Sequence, residues 1–451
     1  MKRVPPFAVG ILLLVACGAS TIRAASLKAG VAKVDITPPP GLPMWGYNLR
    51  QSTGTLDPLF ARVLVFEVAD RRVALVTLDL GRSFGDGITN EIRATVQKTA
   101  GISYVVLAAS HTHSGPVVDN GYSGPTESWE RAAVAKIEMA IEHAEQSEVD
   151  VRIGVGYGVS YIGHNRRKVR PDGAADFMGR NETGIPTSPF DPTVAVLRVD
   201  AMDGTPLAIL VNYACHPVVF GPDNRKYSAD YPGVMTATVE KAFQGKPLCL
   251  FLQGASGDIN ANYTDMPDGI KWRDWTGERL GEAVIRVAQA MKTESPSAPS
   301  LDFREETLNF HFRWDPAKFH QAILATPDIT DPADAPAYLA TYGPESPGTD
   351  QLLDVGTILI DKQIALMAVP GEAYVEFQMD WRSRCPVDDC LFAGYANGYF
   401  AYFPTIKAAT IGGYGASDFM TYLQPGAGDA MVDNAVIDVY KMLGRLTDDP
   451  R

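Results

Sequence analysis

Short apolar runs recur along the chain and alternate with segments of helical spacing. Ser103–Ala109, Leu207–Tyr213 and Pro247–Leu252 are three such runs, and Ile88–Ala100 and Tyr231–Phe243 have helical spacing. Apolar runs of this length that end in turns predict buried strands. Strands that alternate with helices predict an α/β fold. Some connections are too short for a crossover helix, so the sequence predicts mixed β-sheets flanked by helices.

The composition is that of a globular chain and argues against two kinds of partner. Of the 451 residues, 46% are hydrophobic and 21% are charged, which is enough apolar character for a sizeable core. The formal net charge is -13 at pH 7. A nucleic-acid-binding protein needs a basic surface to displace counterions, so no nucleic-acid partner is expected. No stretch is long and apolar enough to predict a transmembrane helix.

The first 25 residues have the features of an export signal. Lys2 and Arg3 supply a positively charged start. The segment Phe7–Ala16 is apolar but too short to span a bilayer. The sequence therefore predicts an exported protein, located in the periplasm, secreted, or anchored to the cell envelope by lipid.

Two cleavage sites remain open for this signal. The segment Leu14–Cys17 resembles a bacterial lipoprotein box, which would make Cys17 the lipid-anchored first residue. Ordinary cleavage after Ala24 or Ala25 is the alternative.

The cysteines beyond the export segment are too few for a disulfide framework. Cys385 and Cys390 are close enough in sequence to close a small disulfide loop, which an exported compartment permits. Cys215 and Cys249 lie in strand-like runs and are expected to be buried thiols.

Histidines and one aspartate closely follow three of the predicted strands. His111 and His113 come after the first run, His216 after the second and Asp258 after the third. Residues two apart in extended backbone face the same side, so both imidazoles of the His-x-His pair can enter one cleft. Loops at strand ends are where α/β folds place their chemistry. The sequence therefore predicts a metal site at these strand ends.

Two imidazoles and one carboxylate are a ligand set typical of catalytic zinc, which keeps one coordination position open. Glu372 also follows an apolar strand, but on sequence alone it is equally explained as an acidic residue at the start of the helix Tyr374–Cys385. The remaining histidines lie in helical or polar contexts and are expected at the surface or in the core: His143, His164, His311 and His320.

Several motifs resemble the neutral, non-lysosomal ceramidase family. The segments Gly30–Pro38 and Met44–Tyr47 are similar to that family's N-terminal signature. The segment His111–Pro116 closely matches its zinc motif. The resemblance extends over residues 30–430 and implies a ceramidase-like catalytic domain over residues 26–451, with an internal linker candidate at 292–300.

The resemblance implies one Zn²⁺ per chain and four ligands for it. The first histidine of the His-x-His pair corresponds to His111, and the second zinc histidine corresponds to His216. The family's glutamate ligand follows a Pro-Gly-type turn, which places it at Glu372. Its tyrosine ligand lies in an Asn-x-Tyr-x-x-Tyr stretch, which places it at Tyr402.

The resemblance also implies three residues that contact the substrate's amide oxygen. The second histidine of the pair has this role in the family and corresponds to His113. A tyrosine twelve positions after the ligand tyrosine corresponds to Tyr414, and an arginine that follows an asparagine corresponds to Arg166. The implied substrate is a small or lipid N-acyl compound, which connects the chain with sphingolipid metabolism.

The chain departs from the family pattern in two places. Family members carry Gly-Asp-Val-Ser-Pro-Asn, whose serine is the proposed nucleophile, whereas this chain has Asn260 at that position. An asparagine cannot act as the nucleophile, so the sequence favours hydrolysis by zinc-activated water, with Asn260 donating to the substrate. Asp258 would orient a ligand or accept a proton, or cap its own loop. Family members also end in an immunoglobulin-like domain, for which little sequence remains here.

Two other functions fit the same residues. One is a zinc esterase or deacylase that acts on a polar or carbohydrate substrate. The other is a non-catalytic exported protein with a structural zinc site, which would have a closed shell of four ligands and no water.

Overall fold

Two mixed β-sheets packed face to face form the centre of the computed structural model, which describes residues 26–47, 50–118, 121–122, 124–325, 348–417 and 419–447. The predicted export segment 1–25, with Cys17, lies outside the described residues, as does most of the polar stretch at 324–350. Within the described ranges, none of the helices combines the length and apolar character that a bilayer crossing requires.

The strands of the two sheets are numbered here in chain order. The larger sheet contains β1 Leu27–Asp35, β2 Phe60–Val68, β3 Arg71–Leu78, β4 Tyr104–Ala109, β5 Val149–Val159, β6 Thr193–Ala201, β7 Pro206–Tyr213 and β8 Leu248–Gln253. The smaller sheet contains β9 Leu301–Phe310, β10 Gln351–Ile360, β11 Ile364–Ala368 and β12 Asp389–Ala393. Short strands outside them are Pro43–Met44, Arg50–Gln51, Gly54–Thr55, Gly163–Asn165, Arg167–Val169, Ala175–Phe177, Lys226–Tyr227, Ile259–Ala261, Glu372–Ala373 and Tyr402–Phe403.

The α-helices of the described ranges connect these strands or follow them. They are α1 Asp86–Ala100, α2 Glu127–Gln146, α3 Asp230–Ala242, α4 Gly269–Ala290, α5 Pro316–Leu324, α6 Val375–Arg384, α7 Ile406–Ile411 and α8 Ala427–Met442.

Three strand–helix–strand units explain why the sheets are mixed. The strand order is β8-β7-β6-β5-β1-β2-β3-β4 in the larger sheet and β9-β10-β11-β12 in the smaller one. The pairs β3–β4, β7–β8 and β11–β12 are parallel, and the other neighbours are antiparallel. Helices α1, α3 and α6 supply the crossovers that parallel pairs need. The predicted α/β fold with mixed sheets is confirmed.

Alternating side chains build four layers. On β2, Ala61, Val63 and Val65 face helices α1 and α2, while Leu64 and Phe66 face the smaller sheet. Helices α3 and α4 cover the same outer face over β6–β8, and helices α6 and α8 cover the outer face of the smaller sheet. The order is therefore helices, larger sheet, smaller sheet, helices.

Most strands and helices lie where the sequence predicts them, with shifted ends. Helix α3 is Asp230–Ala242 rather than Tyr231–Phe243, and β8 is Leu248–Gln253 rather than Pro247–Leu252. Helices α5, α7 and α8 were not predicted. Residues 292–300, the linker candidate, connect α4 to β9. They include Glu294, whose backbone pairs with Ile153 of β5.

The cysteine predictions have different outcomes. Cys215 and Cys249 are buried thiols, as predicted. Cys385 and Cys390 hydrogen-bond to each other as thiols, so the predicted disulfide loop is not closed in the structure. The Cys390 thiol also donates to the Val387 carbonyl at 3.3 Å.

Gly30 lets β1 lie directly against the end of helix α2. A Cβ atom on Gly30 would be 1.8 Å from the Ala144 carbonyl oxygen and 3.1 Å from the Glu148 amide nitrogen. Both are backbone atoms that cannot rotate away, so an added methyl group must push the helix off the sheet.

We therefore expect Gly30→Ala to lower the free energy of unfolding by about 2–3 kcal/mol in chemical denaturation. Gly121→Ala is the matched control, because a Cβ there meets no described atom within 4 Å. The control should stay within about 0.5 kcal/mol of the wild-type chain. Equal stability of the two variants would contradict this packing.

Candidate metal centre

The candidate site lies where strands of both sheets end. His111 follows β4, His216 follows β7 and Glu372 follows β11. Each of these strands belongs to a parallel pair, and the carboxyl ends of parallel strands are where α/β folds collect polar side chains. Strands β4 and β7 lie near opposite edges of the larger sheet, so the site requires that sheet to curl.

The ring of His111 is fixed by its backbone and by one carbonyl. His111 has a φ of 68°, a left-handed conformation that turns the chain sharply after β4. Its Nδ1 lies 2.5 Å from the Gly81 carbonyl oxygen. Gly81 is a glycine for a packing reason, because a Cβ there would be 2.0 Å from the Trp45 ring.

His216 is held in the same way. Its Nδ1 lies 2.6 Å from the Ser256 carbonyl oxygen and 3.2 Å from that of Ile259. A carbonyl only accepts hydrogen bonds, so Nδ1 carries the proton in both His111 and His216. Their Nε2 atoms are therefore left with free lone pairs when the rings are neutral.

These Nε2 lone pairs lie close to a carboxylate oxygen and to a third imidazole. His216 Nε2 lies 3.1 Å from Oε2 of Glu372, and His111 Nε2 lies 3.6 Å from the same oxygen. His111 Nε2 is also 3.2 Å from Nε2 of His113. The three histidines are buried, and their nearest ring nitrogens lie within 4.8 Å of one another. This group could bind a metal ion.

The surroundings keep the histidines neutral. Burial lowers the pKa of His111 to about 3, although the Glu372 carboxylate opposes the shift. Burial and the Arg166 charge hold the pKa of His216 well below its ordinary value. Burial and the neighbouring His111 do the same for the pKa of His113. Neutral imidazole is the form that binds metal ions.

Strand pairing places the glutamate and the tyrosine of the expected ligand set together. Glu372 and Tyr402 are register partners in a short parallel pair. The Tyr402 hydroxyl accepts a hydrogen bond from Nη2 of Arg166 at 2.8 Å. The same Nη2 is 3.4 Å from His216 Nε2 and 3.9 Å from Oε2 of Glu372. The structure thus brings Tyr402 to the edge of the histidine group.

Arg166 is a buried cation at the centre of the site. Its Nη1 donates to Oδ1 of Asn260 at 3.1 Å, and its Nη2 donates to the Gly257 carbonyl at 2.5 Å. The guanidinium carbon is 4.9 Å from the centre of the Tyr414 ring. Tyr402, Tyr414 and Glu372 raise the pKa of Arg166 above its ordinary value, against the effect of burial. The site therefore contains a permanent positive charge.

Both oxygens of Asp258 are used by the protein itself. Oδ2 accepts from Asn165 at 2.6 Å, and Oδ1 accepts from the first amide of helix α6, that of Val375, at 2.8 Å. Burial raises the pKa of Asp258 to about 6. The carboxyl group thus ties the segment before Arg166 to the segment after Glu372.

A cleft of about 500 Å³ opens onto the site. Its lining includes His113, Arg166, Asn260 and Tyr414, whereas His111, His216 and Glu372 are buried beneath. The rest of the lining is mixed and consists of Gly46, Tyr47, Phe177, Gly179, Arg180, Val218, Pro222, Thr264 and Asp265. A separate groove of about 460 Å³, between β2 and α3, contains none of the candidate residues.

Two polar residues of this region were not singled out from the sequence. The Tyr399 hydroxyl donates to Oε1 of Glu372, the carboxylate oxygen that does not approach His216, and so helps to orient the carboxylate. The Gln253 side chain bonds to the backbone of Ser110 and Cys215, the residues before His111 and His216. Tyr399 is the first tyrosine of the Asn-x-Tyr-x-x-Tyr stretch, and Gln253 is the last residue of an apolar strand; these positions were the only available signals.

Comparisons with known proteins identify the family to which the chain belongs. Residues 27–269 match the family model for neutral/alkaline non-lysosomal ceramidase, N-terminal. Neutral ceramidase of Drosophila pseudoobscura pseudoobscura is 26% identical over 278 residues. The match covers 56% of this chain and only 38% of that protein, so the chain spans well under half the length of this relative.

Two solved structures share the fold. The crystal structure of neutral ceramidase from Pseudomonas aeruginosa has a TM-score of 0.74 at 19% identity and covers 95% of this chain and 76% of that chain. A structure described as ceramidase complexed with C2 has a TM-score of 0.75 at 21% identity, with 94% and 76% covered. The family model spans more than half of the chain, and the chain therefore belongs to the neutral/alkaline non-lysosomal ceramidase family.

Proposed function

We propose that this protein is an exported, zinc-dependent hydrolase that cleaves an N-acyl amide bond. The observation that carries the proposal is the 3.1 Å approach of two acceptors, His216 Nε2 and Oε2 of Glu372, with His111 Nε2 close by. Facing lone pairs repel each other unless a cation lies between them, and the Arg166 guanidinium only borders this pair, with Nη2 3.4 Å from His216 Nε2 and 3.9 Å from Oε2 of Glu372. The low pKa of His216 disfavours a proton in that position.

The donor set suits zinc. Two neutral imidazoles and a carboxylate, with the Tyr402 phenol at the edge, offer the nitrogen and oxygen atoms that Zn²⁺ binds. Backbone carbonyls hold the far nitrogens of His111 and His216, an arrangement typical of metal-binding histidines. A bound zinc ion supplies a nucleophile at neutral pH by lowering the pKa of water to about 7.

The residues of the cleft would orient the substrate carbonyl. Arg166 and Tyr414 lie in van der Waals range of each other on one wall, and His113 lies beside His111. These groups would donate hydrogen bonds to the oxygen as it gains negative charge. One well-placed donor of this kind contributes about 3–4 kcal/mol to the transition state. The buried charge of Arg166 adds to this because water does not screen it there.

Asp258 and Asn260 have supporting roles in this proposal. Both carboxylate oxygens of Asp258 already accept hydrogen bonds, so we assign it to positioning rather than to proton transfer. Asn260 accepts from Arg166 and donates to the Gly179 carbonyl at 2.8 Å, so its amide holds the arginine against one wall of the cleft. An amide at this position cannot form an acyl-enzyme.

The substrate we favour is a ceramide-like or smaller N-acyl compound, since the relatives in the family carry the name ceramidase. A deacylase for a more polar substrate is the second candidate, because Arg180 and Asp265 line the same cleft as Phe177 and Val218. The open cleft above the histidines favours a catalytic role over a purely structural zinc site. A panel of short and long N-acyl and O-acyl substrates separates these functions.

Removing one histidine tests the zinc requirement. His111→Ala is expected to lose bound zinc and to reduce amide hydrolysis below detection, because the ion loses a ligand. Zinc content by mass spectrometry and turnover of an N-acyl chromogenic substrate measure both effects. His143→Ala, on the exposed face of α2, is the matched control and should change neither. Stoichiometric zinc with full turnover in His111→Ala would contradict the proposal.

Replacing Asn260 tests whether the reaction needs a covalent intermediate. Asn260→Ala removes one hydrogen bond from Arg166, a loss of about 1.5 kcal/mol that predicts about a tenfold lower kcat/KM. Asn260→Ser restores the serine of the family and is the comparison variant. Complete loss of hydrolysis in the alanine variant, together with a covalent adduct trapped elsewhere in the wild-type chain, would refute the water mechanism.

The proposal that the protein is exported rests on the sequence of residues 1–25 alone. We expect the mature chain made in a bacterial host to begin at a lipid-modified Cys17, or else after Ala24 or Ala25. Intact mass and the N-terminal peptide of the purified protein decide between these starts. A mature chain that keeps Met1 would overturn the export proposal.

A further inference from the structure

The candidate site depends on two strands that do not pair with each other. In the order of the larger sheet, β4 is at one end, whereas β7 and β8 are at the other. His111 follows β4, and His216 follows β7. Their separation is therefore not fixed by a hydrogen-bond ladder between neighbouring strands, and some other contact has to set it.

The side chain of Gln253 connects these two strand ends. Gln253 is the last residue of β8 and is fully buried. Its Nε2 donates to the Ser110 carbonyl at 2.9 Å and to the Cys215 carbonyl at 2.8 Å. Its Oε1 accepts from the Cys215 amide at 3.2 Å. Ser110 and Cys215 directly precede His111 and His216 in the chain.

All three hydrogen bonds satisfy buried backbone groups just past the strand ends. A buried carbonyl or amide without a partner costs about 1–3 kcal/mol, so the amide of Gln253 strongly favours this one arrangement. The two Nε2 donors fix the distance between the Ser110 and Cys215 carbonyls. Because Ser110 and Cys215 directly precede the two histidines, fixing their carbonyls also fixes the backbone of His111 and His216.

We propose that Gln253 is a positioning residue that sets the separation of the His111 and His216 imidazoles for the metal ion. It acts through the backbone, because its three described hydrogen bonds go to main-chain groups of Ser110 and Cys215. The carbonyls of Gly81 and Ser256 orient the two rings, whereas Gln253 holds the two chain segments that carry them. This inference rests on the metal site of the proposed function.

Gln253→Met tests the proposal, because methionine keeps the length of the side chain and removes all three hydrogen bonds. Co²⁺ is the probe, since its visible absorption reports both binding and coordination geometry. We expect a 10- to 100-fold higher Co²⁺ dissociation constant, as for other residues that support metal ligands indirectly. We also expect a changed absorption spectrum at saturation.

Asn212→Leu is the matched control for a merely structural role. Asn212 is also a buried amide near the end of a strand, and its side chain bonds to the backbone of Leu252 on β8 and of Phe392 on β12. It contacts neither Ser110 nor Cys215 among the bonds described here. The control should lose stability in chemical denaturation as Gln253→Met does, but keep the wild-type dissociation constant and spectrum.

The Co²⁺ measurements distinguish a failure of the role of Gln253 from a failure of the proposed metal site. Wild-type Co²⁺ affinity and spectrum in folded Gln253→Met would overturn the role of Gln253 while leaving the metal site intact. A wild-type chain that binds no Co²⁺ would instead overturn the proposed function and this inference with it. If Gln253→Met does not fold, Gln253→Glu takes its place in the test. Glutamate keeps the acceptor for the Cys215 amide and loses both N–H donors. Wild-type Co²⁺ affinity in that variant would also overturn the role of Gln253.

Discussion

The larger sheet curls until its two edges meet, and the candidate site exists because of that meeting. The edges are joined directly by the Gln253 side chain, which donates to the Ser110 carbonyl, and also through the loop after β12. The Ala109 amide donates to the Tyr395 carbonyl, and the Gly394 amide donates to the Gln253 carbonyl. Unpaired groups at a buried sheet edge would be costly, so these bonds hold both edges in place. The candidate site residues lie at the carboxyl ends of the strands joined in this way.

A polar centre inside such a core has to balance its own charges. Arg166 and Glu372 are both almost completely buried, and the three histidines beside them are neutral. Facing acceptor atoms destabilise the fold unless a cation joins them, so binding of an ion and stability of the fold are linked. An ion that binds only the folded state stabilises it in proportion to RT ln(1 + [L]/Kd). Under the proposed function, the stability of the fold would therefore depend on the bound ion.

The sequence predicts the strand ends well because each carries its own local signal. An apolar run followed by His111, or by His216, is recognisable within about ten residues of chain, and so is the α/β alternation around it. Glu372 and Tyr402 were placed only through resemblance to a family. Their pairing in neighbouring short strands explains the placement, but no periodicity reveals it.

Contacts between distant segments are what the sequence does not reveal. Gln253 looks like any polar residue at the end of a strand, and it lies 143 residues from Ser110. Asp258 has two local explanations in sequence, and only the fold shows its carboxylate bound to Asn165 and Val375. Helices α7 and α8 were missed; α8 packs on the smaller sheet, and α7 contributes Ala408 to the same buried cluster. Tertiary context decides such segments more than local propensity does.

The proposed function requires that two imidazoles and a carboxylate from separate strand ends bind one zinc ion. Anomalous diffraction from crystals of the purified chain, recorded on both sides of the zinc absorption edge, tests this most directly. We expect one strong difference peak bounded by His111, His216 and Glu372, present only above the zinc absorption edge. A fully loaded crystal whose zinc peak lies elsewhere, with these three side chains bonded only to protein, would contradict it.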